Sequence, residues 1–285
     1  MTDISVGGAA VRLFTIGHAL RKSVGVLAGN AALLVILIVG LSLPELVFGY
    51  VVTVPMLEAA TTRNPAAIIS AMRAFQHLGP WLGGLGLTMF YLLMMTSGTY
   101  GAFLALKAEK VTLGASLRRG LSALLPLIGG GLCVVIVAVL VMLPPTAFMY
   151  LAPRAAWIGA IIILLLAVVF VVLAISFIVY VPAIVIERKG VLAAFGRSRA
   201  LTKGRRWSIF GALLLIDIVA FILQLVLQLV DRLLFGAMPT GMLLSMYLPR
   251  ILTNAFVVVF ITVVYYYLRA EKEGIAVDEM AKVFD

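Results

Sequence analysis

Long apolar runs separated by short polar stretches organise the chain from end to end. A membrane-spanning helix needs roughly 20 mainly apolar residues. Six stretches meet that requirement: Val24–Leu43, Trp81–Leu106, Leu121–Leu143, Ala155–Val181, Trp207–Val230 and Ile251–Leu268. Asp217 is the single acidic or basic residue inside them. The second, fourth and fifth are long enough to tilt in a bilayer. The pattern predicts an all-α, polytopic membrane protein of six transmembrane helices, built as one integral domain over residues 1–285.

The polar stretches have a pattern of their own. The segments before the first, third and fifth spans each read as an amphipathic helix lying in the membrane surface. In the third, Val191, Ala194, Phe195, Ser198 and Leu201 share one helical face, while Lys189, Arg199 and Lys203 lie elsewhere. Aligning VGGAAVRLF from Val6, LGASLRRGL from Leu113 and VLAAFGRSR from Val191 brings Arg12, Arg119 and Arg197 into one column. Two readings stand: three repeats of interfacial helix plus hairpin (5–106, 112–181 and 190–268, with a tail over 269–285), or chance similarity among strings rich in Ala, Gly and Leu. Between the first two spans, Asn64-Pro65 reads as a helix start and Gly79-Pro80 as a stop. Ile68, Met72, Phe75 and Leu78 would form the apolar stripe of that helix, and Val277, Met280, Ala281 and Phe284 that of a short helix in the tail.

Charge then sets an orientation. Of the 22 Lys and Arg residues, 17 fall in the N-terminal segment, the second and fourth loops and the C-terminal tail, leaving Arg63, Arg73, Arg154, Arg232 and Arg250 on the other side. Cations collect in cytoplasmic loops, so both termini are expected in the cytoplasm. The same asymmetry accounts for the net charge of +10 without nucleic acid, for which no motif is present. Composition agrees with the spans: 64% of residues are hydrophobic and 12% charged, against about 25% charged in soluble domains. The N-terminus lacks the basic and apolar regions of a cleavable signal peptide. The single cysteine, Cys133, lies in an apolar run, which excludes an intramolecular disulfide.

Candidate chemistry is sparse. Asp217, Gln224, Gln228 and Asp231 fall on one stripe of the fifth span, because their spacing follows the helical period. Asp217 sits about 15 Å beyond Trp207 at 1.5 Å per residue, near mid-membrane, where a carboxylate is costly and needs a partner or a wet cavity. One reading is a proton- or ligand-binding stripe; the other is ordinary interhelical bonding to Asn254, Thr88 or Ser97. The glycines at 83, 84 and 86, at 98 and 101, and at 129–131 read as helix contacts, with a hinge at Gly129–Gly131 as the alternative. Pro144, Pro145 and Pro182 read as helix terminators. Tyr265, Tyr266, Tyr267, Trp81 and Trp207 read as membrane-interface belt residues. The two histidines, His18 and His77, fall on opposite sides of the membrane and cannot share a metal. Neither H-E-x-x-H nor G-x-S-x-G occurs, and no cofactor or metal site is expected.

Two stretches carry a family resemblance. ERKGVLAAFGRSRALTKGRRWSIFG, Glu187 to Gly211, and YYYLRAEKEG, Tyr265 to Gly274, resemble the membrane domain found beside glycerophosphodiester phosphodiesterases, and the Ser116–Leu121 run fits as well. The layout is also similar to the YciC-like bacterial inner-membrane proteins. The resemblance implies a bacterial six-helix inner-membrane module linked to phospholipid or envelope homeostasis. The hydrolytic activity of the fused proteins resides in a separate barrel domain and does not carry over.

The chain is therefore expected to be a non-enzymatic, multi-pass inner-membrane module that engages membrane lipids, anionic ones above all. A protein partner or a second copy of the chain remains open. Arg12, Arg118, Arg119, Arg197, Arg199, Lys203, Arg205 and Arg206 are the expected contacts to anionic lipid. The alternative is a transporter or channel for a lipid-like or small amphiphilic substrate that uses the stripe on the fifth span.

Overall fold

The structure, a computed structural model, describes residues 4–6, 9–11, 15–40, 46–47, 66, 69, 73, 86–235 and 239–273. Of the helix expected after Asn64-Pro65, Ala66, Ile69 and Arg73 are described and are helical; its stripe residues Ile68, Met72, Phe75 and Leu78, with His77, Trp81, Gly83, Gly84, Arg12 and the tail beyond Glu273, lie outside the described residues. A short antiparallel hairpin, β1 (Ile4–Val6) and β2 (Ala9–Val11), comes first, with Val6 opposite Ala9. Helices follow: α1 (Ile16–Ala28), α2 (Ala31–Val39), α3 (Leu87–Leu106), α4 (Leu113–Leu151), α5 (Ala156–Ser176), α6 (Tyr180–Glu187), α7 (Val191–Thr202), α8 (Arg206–Phe235) and α9 (Pro239–Glu273). Among the described residues, five helices are long and apolar enough to cross a membrane, or six if the bent pair α1–α2 makes one span.

The first unit differs from expectation in two ways. Within the segment starting at Val6, Val6 and Ala9–Val11 lie in paired strands instead of an interfacial helix. The helix there is α1, whose Val24–Ala28 end overlaps the first expected span. It breaks at Gly29-Asn30, and α2 leaves at 95° to it. Gly29 closes α1 by donating its N–H to Gly25 O at 2.9 Å. Asn30 starts the next turn, its Nδ2 donating to Val26 O at 2.9 Å. The apolar run is continuous across this corner, so hydropathy alone gives no signal for the bend.

The second unit departs from expectation as well. α4 runs unbroken for 39 residues, about 58 Å at 1.5 Å per residue, and takes in the segment expected to be a separate interfacial helix. It also continues through Gly129–Gly131, so no hinge forms there, and through Pro126, Pro144 and Pro145. Pro182 is no terminator either. It falls in the first turn of α6, where a missing N–H is tolerated, after α5 has ended at Ser176.

Polar position and burial sort the helices into two layers. Only 11% of the most apolar window of α4 is buried inside the protein, against 61% for α9. The outer faces of α4, α5 and α8 carry Leu132, Val135, Leu164, Val168 and Phe221 exposed, a surface that a bilayer would cover. α9 and α3 form the centre with α1 and α2, around Leu33, Leu37, Ala102, Phe260, Val263 and Leu268. A second cluster joins α4, α6 and α7 through Ala123, Leu127, Tyr180, Ala183 and Ala194.

Glycines make the close approaches in both. A Cβ on Gly120 would lie 2.9 Å from the Ser97 backbone nitrogen on α3. At Gly130 it would meet the Tyr180 hydroxyl, which donates to Pro126 O at 3.2 Å. Ser97 bonds within its own helix, donating to Leu93 O at 2.6 Å.

Candidate functional site

One end of the bundle gathers the basic segments. The start of α4, the end of α6, α7, the start of α8 and the end of α9 meet there, tied by side-chain bonds over long sequence separations. Glu187 is the hub. Its Oε1 accepts from Arg197 Nε at 2.8 Å and from the Tyr265 hydroxyl at 2.5 Å, and its Oε2 pairs with Lys189 at 3.1 Å. Arg197 also donates to Glu273, which accepts from Arg269 at 2.9 Å. Arg205 donates to Glu271 at 2.9 Å. Burial alone would lower the Arg197 pKa, but the bonds to Glu187 and Glu273 outweigh it and hold the guanidinium above its ordinary value.

This network reassigns several residues. Arg197 and Arg205, expected to face lipid phosphates, are neutralised by carboxylates of the same chain. Arg206 is half-buried, and its Nε has no hydrogen-bond partner among the described residues. Tyr265 is fully buried instead of sitting in an interface belt, and Tyr267, 6% exposed, stacks edge-on with His18. Trp207, 71% exposed, does fit a belt position.

α7 keeps its expected amphipathic face. Ala194, Ser198 and Leu201 are buried, whereas Arg199 and Lys203 are exposed. That face packs on protein: Phe195 stacks on Tyr180 at 4.3 Å between ring centroids, and Ser198 and Thr202 both donate to Ser176 O. Ser176 ends α5, so its carbonyl lacks a helical partner, and the two hydroxyls supply one.

Beside the network lies a basic pocket of about 480 Å³, lined by Tyr100, Ala115, Arg118, Arg119, Ser122 and Arg188. Among the described residues, no carboxylate lines it. Arg119 is anchored: its Nε donates to Val185 O at 2.6 Å and its Nη1 to Ser122 Oγ at 3.3 Å. Val185 is in the last turn of α6, where carbonyls lack helical partners. Arg118 and Arg188 are exposed and have no ion pair among the described residues. Arg188 caps α6 in the left-handed conformation, φ 56° and ψ 33°, a position usually taken by glycine.

Further along α8, Asp217 and Gln224 line a cleft of about 380 Å³ with Tyr247, Arg250, Thr253 and Asn254 of α9. Half of the expected polar stripe therefore shares one cleft. Gln228 is half-buried outside its lining. Asp231 is 5% exposed, and its Oδ1 has no hydrogen-bond partner among the described residues. Of the expected partners of Asp217, Asn254 shares the cleft, while Ser97 is engaged on α3.

Arg188, Tyr100 and Ser122 are pocket residues that the sequence reading passed over. A left-handed conformation at Arg188 has no signature in residue type, since arginine is a poor choice for it. The Arg118-Arg119 pair was the available signal. Among the described residues, no three His, Cys, Asp or Glu side chains come together as metal ligands.

The chain belongs to the family described as "Domain of unknown function (DUF7847)", whose model matches residues 14–271. The comparisons give no evidence for membership in the glycerophosphodiester phosphodiesterase-associated or YciC-like families. No curated protein and no solved structure matches.

Proposed function

Within this family, we propose that the chain is a non-enzymatic module of a bacterial inner membrane that engages anionic lipid through its basic end, with that end and both termini in the cytoplasm. One observation carries the reading: after the glutamates of the basic end have each taken arginine or lysine partners, Arg118, Arg188, Arg199 and Lys203 stay exposed without an ion pair among the described residues. Cations at a membrane surface attract anionic headgroups by about 1 kcal/mol each. We place that engagement in phospholipid or envelope homeostasis.

Native mass spectrometry of the protein in detergent, with added phosphatidylglycerol or phosphatidylcholine, tests it. Phosphatidylglycerol should be retained in preference. Replacing Arg199 and Lys203 together by Gln should weaken that retention by about 2 kcal/mol, or ~30-fold. Equal retention of both lipids would overturn the reading.

The α8–α9 cleft favours a second reading, a transporter for an amphiphile. An acid, a base and two amides along one cleft suit a ligand with both polar signs. If Asp217→Asn left the transbilayer movement of a short-chain fluorescent phospholipid unchanged in proteoliposomes, the cleft would not be its path.

A further inference from the structure

We propose that the pocket between α3, α4 and the end of α6 binds a phosphomonoester, gripped by Arg118, Arg119 and Arg188. The proposal rests on the lipid-binding reading above and names the chemistry of one site within it.

Three guanidinium groups share one concavity that no acid among the described residues lines. Elsewhere at this end the chain supplies carboxylates: Arg197 and Lys189 meet Glu187, Arg205 meets Glu271, and Arg269 meets Glu273. Here the described residues supply none, so the cluster repels itself until an anion enters. A phosphomonoester fits the vacancy in charge, carrying about −1.5 to −2 at neutral pH with three strong acceptor oxygens. Arginine forks match those oxygens two at a time. A phosphodiester has a single charge and two such oxygens, and it satisfies three arginines less well.

The pocket is also pre-ordered. Arg119 is fixed by Val185 O and Ser122 Oγ, a use of two of its five donors that leaves the others available. Arg188 extends from a backbone conformation that glycine adopts at no steric cost, so folding alone does not call for an arginine there. The volume, about 480 Å³, lies within the range of ~300–1,000 Å³ typical of small-ligand sites.

The phosphate could come on a lipid, as phosphatidic acid, or on a soluble molecule such as glycerol 3-phosphate. The whole protein in detergent is titrated with phosphatidic acid, phosphatidylglycerol and glycerol 3-phosphate, read by native mass spectrometry and by thermal shift. Phosphatidic acid should bind at least tenfold more tightly than phosphatidylglycerol. Millimolar glycerol 3-phosphate displacing it would assign the site to soluble phosphates, and failure to displace would assign it to the lipid.

Arg188→Gly is the decisive variant, because glycine suits φ 56° and the protein should melt no lower than the parent. Arg188→Gly and Arg118→Gln should each reduce phosphatidic acid binding about tenfold, against the smaller loss of phosphatidylglycerol retention that removing one surface cation brings. Equal affinity for the two lipids, or undiminished phosphatidic acid binding by a well-folded Arg188→Gly protein, overturns the proposal while the broader reading stands. Loss of preference for any anionic lipid over phosphatidylcholine overturns both.

Discussion

At the scale of single residues, Glu187 and Arg197 divide the basic end into a closed part and an open part. Arg197 has a side chain 17% exposed and bonds two glutamates, one of them only 10% exposed. Arg197→Ala would leave Glu187 with Lys189 and Tyr265 alone, and Glu273 with Arg269 alone. Breaking a largely buried pair from one side costs about 3 kcal/mol or more. The variant should therefore lose several degrees in melting temperature, followed by tryptophan fluorescence in detergent. Tyr265→Phe removes a single hydrogen bond to a charged group, worth about 1.5–3 kcal/mol, and should fall between parent and Arg197→Ala. Arg188→Gly should move the other way, by about 1 kcal/mol, because the left-handed conformation costs non-glycine residues roughly 1–2 kcal/mol. A count of cations could not make these distinctions. Arg197 and Arg199 look alike in sequence, and Glu273 lies 76 residues away from its partner, with no local period linking the two.

At the scale of elements, helix identity was written in the apolar runs, and helix ends were not. Spans three to six fall within α4, the α5–α6 run, α8 and α9, because lipid-facing hydropathy is a sum over many residues and tolerates local error. The corner at Gly29-Asn30, the break after Ser176 and the unbroken passage of α4 through three prolines depend on one or two hydrogen bonds each, which no apolar run records. Glycine roles likewise needed the neighbours. Gly120 and Gly131 both sit inside α4 in small-residue surroundings, yet a Cβ on Gly120 meets the backbone of α3 and one on Gly131 meets nothing within 4 Å. Gly120→Ala should destabilise the α3–α4 contact by up to about 2 kcal/mol, the balance of overpacking at ~1–3 kcal/mol against the ~1 kcal/mol helix-propensity gain of alanine. Ser97→Ala should not rescue it, since the obstacle includes the Ser97 main-chain nitrogen. Gly131→Ala should be neutral or slightly stabilising. Melting curves of the three variants and the double mutant would show whether this seam is closed by backbone contact.

At the scale of the whole molecule, long-range bonds bring α4, α6, α7, α8 and α9 to one basic end, and the chain crosses between this end and the one that carries Arg154 and Arg250. That clustering was legible in the spacing of Lys and Arg, because alternate loops of a serpentine chain must return to the same end. The positive-inside rule predicts a cytoplasmic basic end, and a labelling experiment decides it. Cys133 is the single cysteine and lies exposed on the apolar face of α4, so Cys133→Ser gives a cysteine-free background. Cysteines placed at Lys203 and Arg154, both exposed, then report opposite ends. A membrane-impermeant thiol reagent added to intact cells should label the Arg154→Cys protein and spare Lys203→Cys, and inverted vesicles should reverse the result. The opposite pattern would place Arg118, Arg188, Arg199 and Lys203 on the outer surface and remove the anionic inner leaflet as their partner. It would leave the phosphate chemistry of the pocket standing, with a ligand supplied from the other side.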